Sequence, residues 1–291
     1  MSFHWPNTTS KGTALLRALF LREPNALVRD ECADWYVDPG QLQDLENKRI
    51  ADMMPAGPAG DFTRIACWYG SLREKYFDEA IEASVRSGCR QLLLLGAGFD
   101  TRFFRLPLLH RTGIRTVEVD RAETIREKRD AIGRHVAKFP ENLELVGMDL
   151  SSDALSTLFE SGPCRDEMTV CICQGLSYYL TEEDFAALME SLRRCLPIGS
   201  VVGFDCCTPL MLYENTEVPG IAFNIQRLKE INDPYRFGMW SNDMRSWIAG
   251  KGFAAPEILS QKELAVRYQL EVSLPANMWY VVLTKCQADA F

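Results

Sequence analysis

The sequence predicts an α/β protein built on a largely parallel sheet with helices on both faces. Two observations carry that expectation. Five short apolar runs, "QLLLLG" (91–96), "RTVEVD" (115–120), "LELVGMD" (143–149), "MTVCICQG" (168–175) and "SVVGFDCC" (200–207), read as buried strands. Helix-like stretches at 121–138, 151–160 and 181–195 separate them. Near-continuous apolar strands alternating with helices indicate a sheet covered on both sides, joined by right-handed crossovers.

The remaining elements follow along the chain. Residues 10–29 read as an amphipathic helix, with Leu15, Leu16, Leu19 and Phe20 near helical spacing. The prolines and glycines of "MMPAGPAGDF" (53–62) mark a loop. A helix over 63–87 stops at Gly88. "RFFRLPLL" reads as a helix after the first strand, and "MWYVVLTKC" (278–286) as the last strand. Residues 208–240 form an insertion before a helix at 241–251. The expected plan is a single domain over 1–291. It comprises a helical cap (1–88), a ligand-binding core (89–207), an insertion or lid (208–240), and a C-terminal helix and last strands (241–291).

A chain of 291 residues with 47% hydrophobic and 25% charged residues is ordinary for a globular protein. A formal net charge of −8 argues against sequence-independent binding to nucleic acid or an anionic membrane. The N-terminal residues lack the pattern of an export signal, and no apolar run reaches membrane-spanning length. The ten cysteines show no metal-ligand spacing, so a metal site is not expected. They read as reduced thiols of a cytoplasmic protein, several acting as small apolar residues within strands.

In open parallel sheets, ligands lie at the carboxyl ends of the strands. Gly96-Ala97-Gly98-Phe99 follows the first strand, and two glycines let backbone approach a ligand closely. Thr101 stands where a dinucleotide fingerprint places its third glycine. The second strand ends at Asp120, which fits either a ribose-binding acid or a helix N-cap. Asp149 with Leu150 fits either an adenine contact or the cap of the next helix. The fourth strand runs into Gln174, then Tyr178 and Tyr179, which suit a pocket wall as well as a core. Each feature alone is ambiguous. Four at successive strand ends point to one rim.

These residues carry a resemblance. "LLLLGAGFDTRFFRL", "VEVDRAETIREKR", "LVGMDLSSDAL", "CQGLSYYLTEEDFAALM" and "PYRFGMWSNDMRSWIAGKGF", in that order, resemble the leucine carboxyl methyltransferase-like family. The family includes protein C-terminal carboxyl methyltransferases and bacterial polyketide O-methyltransferases. The resemblance implies a seven-stranded, Rossmann-like class I methyltransferase sheet and S-adenosyl-L-methionine as cofactor, released as S-adenosyl-L-homocysteine. Carried over position by position, Gly96 and Gly98 match the family's glycine turn under the methionine end of the cofactor, and Ala97 and Phe99 beside them are further cofactor-binding candidates. Asp120 matches the ribose-binding acid, and Asp149 and Leu150 the pair at the adenine. Arg73 matches the partner of the cofactor carboxylate, and Lys11 a basic residue of related duty. Tyr179 matches a tyrosine of the family's strand-four block and is the candidate catalytic residue. Gln174 departs from the family, which usually has Glu there, and so removes a negative charge near a cationic cofactor.

The expected activity is O-methylation of a carboxyl or hydroxyl group on a small natural product such as a polyketide. A protein C-terminal carboxylate is the alternative acceptor, and a nicotinamide-dependent oxidoreductase the alternative class. Alignment of nucleophile, methyl and leaving sulfur can supply ~7–11 kcal/mol of such a reaction's barrier. An ionised carboxylate needs no base, whereas a hydroxyl benefits from one. His4, His110 and His135 all fall away from the expected rim. The aromatic faces of Phe99 and Tyr178 suit a sulfonium cation. Tyr178 and Arg236 are the candidate acceptor-binding residues, and the aromatic-rich insertion suits an apolar pocket.

Overall fold

The protein is described from a computed structural model over residues 9–23, 25–45, 57–150, 154–160, 162–214, 217–218, 220–271 and 277–288. Its centre is one seven-stranded sheet: β1 (Gln91–Leu95), β2 (Arg115–Asp120), β3 (Leu143–Gly147), β4 (Thr169–Cys173), β5 (Val201–Cys207), β6 (Glu257–Ser260) and β7 (Trp279–Lys285). The strand order is β3-β2-β1-β4-β5-β7-β6. β1 to β5 pair in parallel, and β7 runs antiparallel between β5 and β6.

The helices are α1 (Thr9–Leu21), α2 (Pro39–Leu45), α3 (Pro58–Arg86), α4 (Arg102–Arg105), α5 (Pro107–Arg111), α6 (Ala122–His135), α7 (Thr157–Glu160), α8 (Glu182–Cys195), α9 (Ile221–Glu230), α10 (Ser241–Gly250) and α11 (Gln261–Arg267). Side chains alternate across the sheet, so each strand feeds two cores. Leu92 and Leu94 of β1 join Phe77, Ile81 and Val85 of α3 on one face. Leu93 and Leu95 join Phe185, Met189 and Leu192 of α8 on the other. That double burial explains the unbroken apolar reading of β1.

Most predicted elements stand near their expected bounds, and the departures have local causes. α1 ends at Leu21 rather than 29, because Pro24 in the sequence disfavours a helical residue before it. α3 starts at Pro58, inside the predicted 53–62 loop, with proline in the first turn where its missing N–H costs nothing. Residues 53–56 of that loop lie outside the described residues. "RFFRLPLL" is two short helices, broken at an extended Leu106 before Pro107. Of the predicted 151–160 helix, only Thr157–Glu160 is helical among the described residues. α9, within the insertion, was not anticipated. Its buried Ile221, Asn224, Ile225 and Leu228 follow helical spacing. β6 falls within the expected last strands, and α11 is a helix beyond the one expected there. Ser260 and Glu263 form a reciprocal capping box there.

Candidate functional site: a cleft at the strand ends and an adjoining chamber

A cleft of about 580 Å³ opens at the carboxyl ends of β1, β2, β3 and β4. Gly96, Ala97, Gly98, Phe99, Asp120, Asp149, Leu150 and Gln174 all line it, as do Lys11, Arg73, Tyr179 and Arg236. Positive φ at Gly96 (65°) and Gly98 (47°) turns the chain back under the cleft. The Gly98 N–H donates to Asp120 Oδ2 at 2.7 Å, and the Arg121 N–H to Oδ1 at 2.7 Å. The β2 carboxylate therefore braces the glycine turn and retains lone pairs for a ligand. Phe99 stacks its ring on Tyr36 at 5.0 Å.

α1 roofs the cleft. Lys11 pairs with Glu127 of α6 at 2.9 Å, and both residues line the cleft. Thr9 Oγ1 donates to Asp233 Oδ2. Arg17 donates to the Phe99 carbonyl and pairs with Asp30 at 2.9 Å, while Thr101 donates to the same Asp30 oxygen. These contacts tie the cap to the glycine turn. Nothing in the sequence of α1 marked Arg17 for this position.

Below the turn lies a dense ionic cluster. Arg102 is fully buried and pairs with Asp100, with Asp78 at 2.8 Å and with Glu74 at 3.2 Å. Arg105 pairs with the same Asp78 and Glu74. Gln174 sits inside this cluster. Its Oε1 accepts from Arg102 at 2.6 Å, and its Nε2 donates to Glu74 Oε2 at 2.6 Å. Burial opposes ionisation of Glu74, but Arg102 and Arg105 outweigh it and hold the carboxyl well below its ordinary value. The negative charge absent at 174 thus stands within hydrogen-bond reach, on α3.

Arg73 belongs to a second network. Its Nη1 donates to Tyr178 Oη at 2.8 Å and to Asp205 Oδ2 at 2.5 Å. Asp205, fully buried on β5, also accepts from the Gly175 N–H at 2.6 Å and from the Tyr69 hydroxyl at 3.4 Å. Arg73 Nε is buried with no hydrogen-bond partner among the described residues. Such a donor suits an anionic ligand group in the cleft. A lone Asp in the apolar run "SVVGFDCC" was the available sequence signal for Asp205.

A second cavity of about 140 Å³ adjoins the cleft. Thr9, Thr13, Arg17, Arg73, Gln174 and Tyr179 line both, and so form the shared wall. Beyond it, the chamber is bounded by Phe20, Phe62, Tyr69, Phe223, Tyr235 and Trp279. Tyr178 lines the chamber with its hydroxyl held by Arg73, whereas Arg236 lines the cleft and donates its N–H to the Tyr178 carbonyl at 2.7 Å. Burial, then the nearby Tyr235 and Tyr178, pushes the Tyr179 phenol well above its ordinary value. Tyr179 is therefore a protonated hydroxyl at the shared wall, suited to donate and to position. His110 and His135 line neither cavity, and His4 lies outside the described residues.

The leucine carboxyl methyltransferase family model matches residues 10–193. A relative from Mycobacterium bovis, named for S-adenosyl-L-methionine-dependent methyl transfer, is 28% identical over 88% of this chain and 83% of its own. One from Parafrankia, named likewise, is 26% identical over 93% and 83%. Among solved structures, a DUF574 family protein from Streptomyces avermitilis superposes with a TM-score of 0.61 at 13% identity, covering 94% of this chain and 96% of that one.

Proposed function

The chain belongs to the leucine carboxyl methyltransferase family and is an S-adenosyl-L-methionine-dependent methyltransferase; from that premise we propose that its acceptor is a small, largely apolar molecule methylated on a carboxylate oxygen. The observation that carries this reading is the shared wall, which joins the strand-end cleft to a ring-lined chamber. When bound, S-adenosyl-L-methionine supplies a methyl group activated on a sulfonium centre. Gly96, Ala97, Gly98 and Phe99 receive its methionine end, Asp120 its ribose, and Asp149 and Leu150 its adenine. Arg73, fixed by Asp205 and Tyr178, faces the cofactor carboxylate, a pairing that charge-assisted hydrogen bonds favour. Lys11, engaged with Glu127, closes the rim.

The chamber holds the acceptor. α9, from the 208–240 segment, covers it in the manner of a lid. Tyr179 orients the attacking oxygen from the shared wall, and the surrounding rings exclude water. A small apolar chamber supports a small natural product over a protein C-terminus. Glu74 is held ionised by two guanidiniums and the Tyr179 phenol is held neutral, so neither is a base of useful strength. An acceptor that arrives already ionised meets that limitation. Labelled donor offered with aromatic carboxylic acids and with phenols tests the reading; methyl esters should form, and transfer confined to phenols would sink it.

One observation favours a second reading. Asp30 lines the chamber, and its Oδ1 is buried without a hydrogen-bond partner among the described residues. That oxygen can take the proton of a hydroxyl acceptor. On this reading Asp30→Asn, which also weakens the Arg17 ion pair, lowers phenol turnover far more than ester formation; an equal loss of both would count against it.

A further inference from the structure

Besides Asp30, Thr63, Ser71 and Glu74, the chamber carries two polar side chains on α9 away from the shared wall. Asn224 and Arg227 are three residues apart on α9, and that spacing puts both on one helix face. Both line the chamber and neither lines the cleft. Asn224 is 9% exposed, and its Nδ2 is buried without a hydrogen-bond partner among the described residues. A desolvated donor left unpaired is costly, so an acceptor atom supplied by a ligand recovers that loss. Arg227 extends towards α1: a Cβ built on Gly12 would lie 3.9 Å from its Nη2. Burial pulls the Arg227 guanidinium below its ordinary value, and a bound anion offsets that cost. Leu16, Phe20, Phe62 and Trp279 supply the apolar surface around this pair.

The geometry points to a bifunctional acceptor, whose methylated oxygen lies at the shared wall and whose second oxygen group, a carboxylate, is held by Asn224 and Arg227. The inference rests on the chamber being the acceptor site. An apolar body spans the rings between the two ends. Asn224 donates through Nδ2, and Arg227 supplies the charge. The pair acts on acceptor selection and leaves the cofactor cleft untouched.

Matched probes test this: 4-(2-carboxyethyl)benzoate, with a remote carboxylate, and 4-propylbenzoate, with a methyl in its place. Each is titrated by calorimetry into protein saturated with S-adenosyl-L-homocysteine. The dicarboxylate should bind about tenfold more tightly or better, the factor that one charge-assisted hydrogen bond supplies. Asn224→Leu and Arg227→Met should each shrink that preference to about threefold or less. Asn224→Asp keeps the side-chain shape and should reverse the preference, since it opposes a carboxylate with a carboxylate. All three variants should retain the wild-type affinity for S-adenosyl-L-homocysteine, which certifies their fold. Equal binding of the two probes, binding of neither, or a preference that survives all three substitutions overturns the inference. Failure of the wild type to bind S-adenosyl-L-homocysteine overturns the donor reading itself, and this inference with it.

Discussion

The strand-end cleft and the ring-lined chamber share a wall, yet the chain builds them by different means. The cleft collects the residues at the carboxyl ends of β1, β2, β3 and β4, at positions that the sheet fixes. Its key contacts are backbone and carboxylate, such as the Gly98 N–H on Asp120. The chamber gathers side chains from α1, α3, α9 and β7, elements separated by up to most of the chain. The cleft arises from topology, whereas the chamber depends on which side chains three helices turn inward. With the cleft as donor site and the chamber as acceptor site, as proposed, an enzyme arranged this way can change its acceptor without disturbing its donor site.

Arg73 is where that separation should fail most visibly, because it stands in the shared wall. Arg73→Ala leaves Asp205 fully buried with its tyrosine and backbone donors but without its cation. Removing one partner of a buried pair costs about 3–5 kcal/mol. Chemical denaturation should show a loss of that order, and calorimetry should show loss of S-adenosyl-L-homocysteine binding. A variant of unchanged stability and unchanged affinity would mean that Arg73 anchors neither cavity.

What the sequence revealed divides along the same line. Gly96, Gly98, Asp120, Asp149 and Gln174 were legible because strand ends in an alternating sheet converge on one rim. Asn224 and Arg227 were not, since α9 was read only as part of an aromatic-rich insertion. The Ile221, Asn224, Ile225, Leu228 pattern was present, but no pattern says that Asn224 shares a chamber with Phe20 and Trp279. Arg102 and Arg105 were equally silent, because their partners Glu74 and Asp78 lie upstream on α3 and only the fold brings them together.

A pH titration sharpens the contrast from the cleft side. Glu118 lies on β2, two residues before Asp120, and forms a buried ion pair with Lys128 of α6. Burial lifts its carboxyl from an ordinary 4.5 to about 7, against the pull of Lys128. The folded chain therefore keeps a proton that the unfolded chain has already released. That stabilising contribution is complete below about pH 4.5 and disappears as pH rises through about 7. Its full extent is on the order of 3 kcal/mol. Glu118→Gln should remove this component, so that wild type minus variant stability falls between those limits. A difference that is flat with pH would show that Lys128 keeps Glu118 ionised throughout.

The finest test concerns Gln174 and Glu74, which meet at the junction of the two cavities. Glu74 Oε2 accepts from Gln174 Nε2 at 2.6 Å, so a carboxylate at 174 would face a carboxylate. Gln174→Glu alone should weaken S-adenosyl-L-homocysteine binding about tenfold, or ~1.4 kcal/mol. Glu74→Gln alone should also weaken it, since Arg102 and Arg105 lose a shared counter-charge. The double variant Glu74→Gln/Gln174→Glu returns one carboxylate and one amide to the pair with their positions exchanged. Its affinity should recover to within about threefold of wild type, the non-additivity expected of residues in one hydrogen-bond network. Simple addition of the two losses would show that the charge on Glu74 does not stand in for one at 174. Recovery would place the donor site's missing negative charge on α3, the helix that also walls the acceptor chamber.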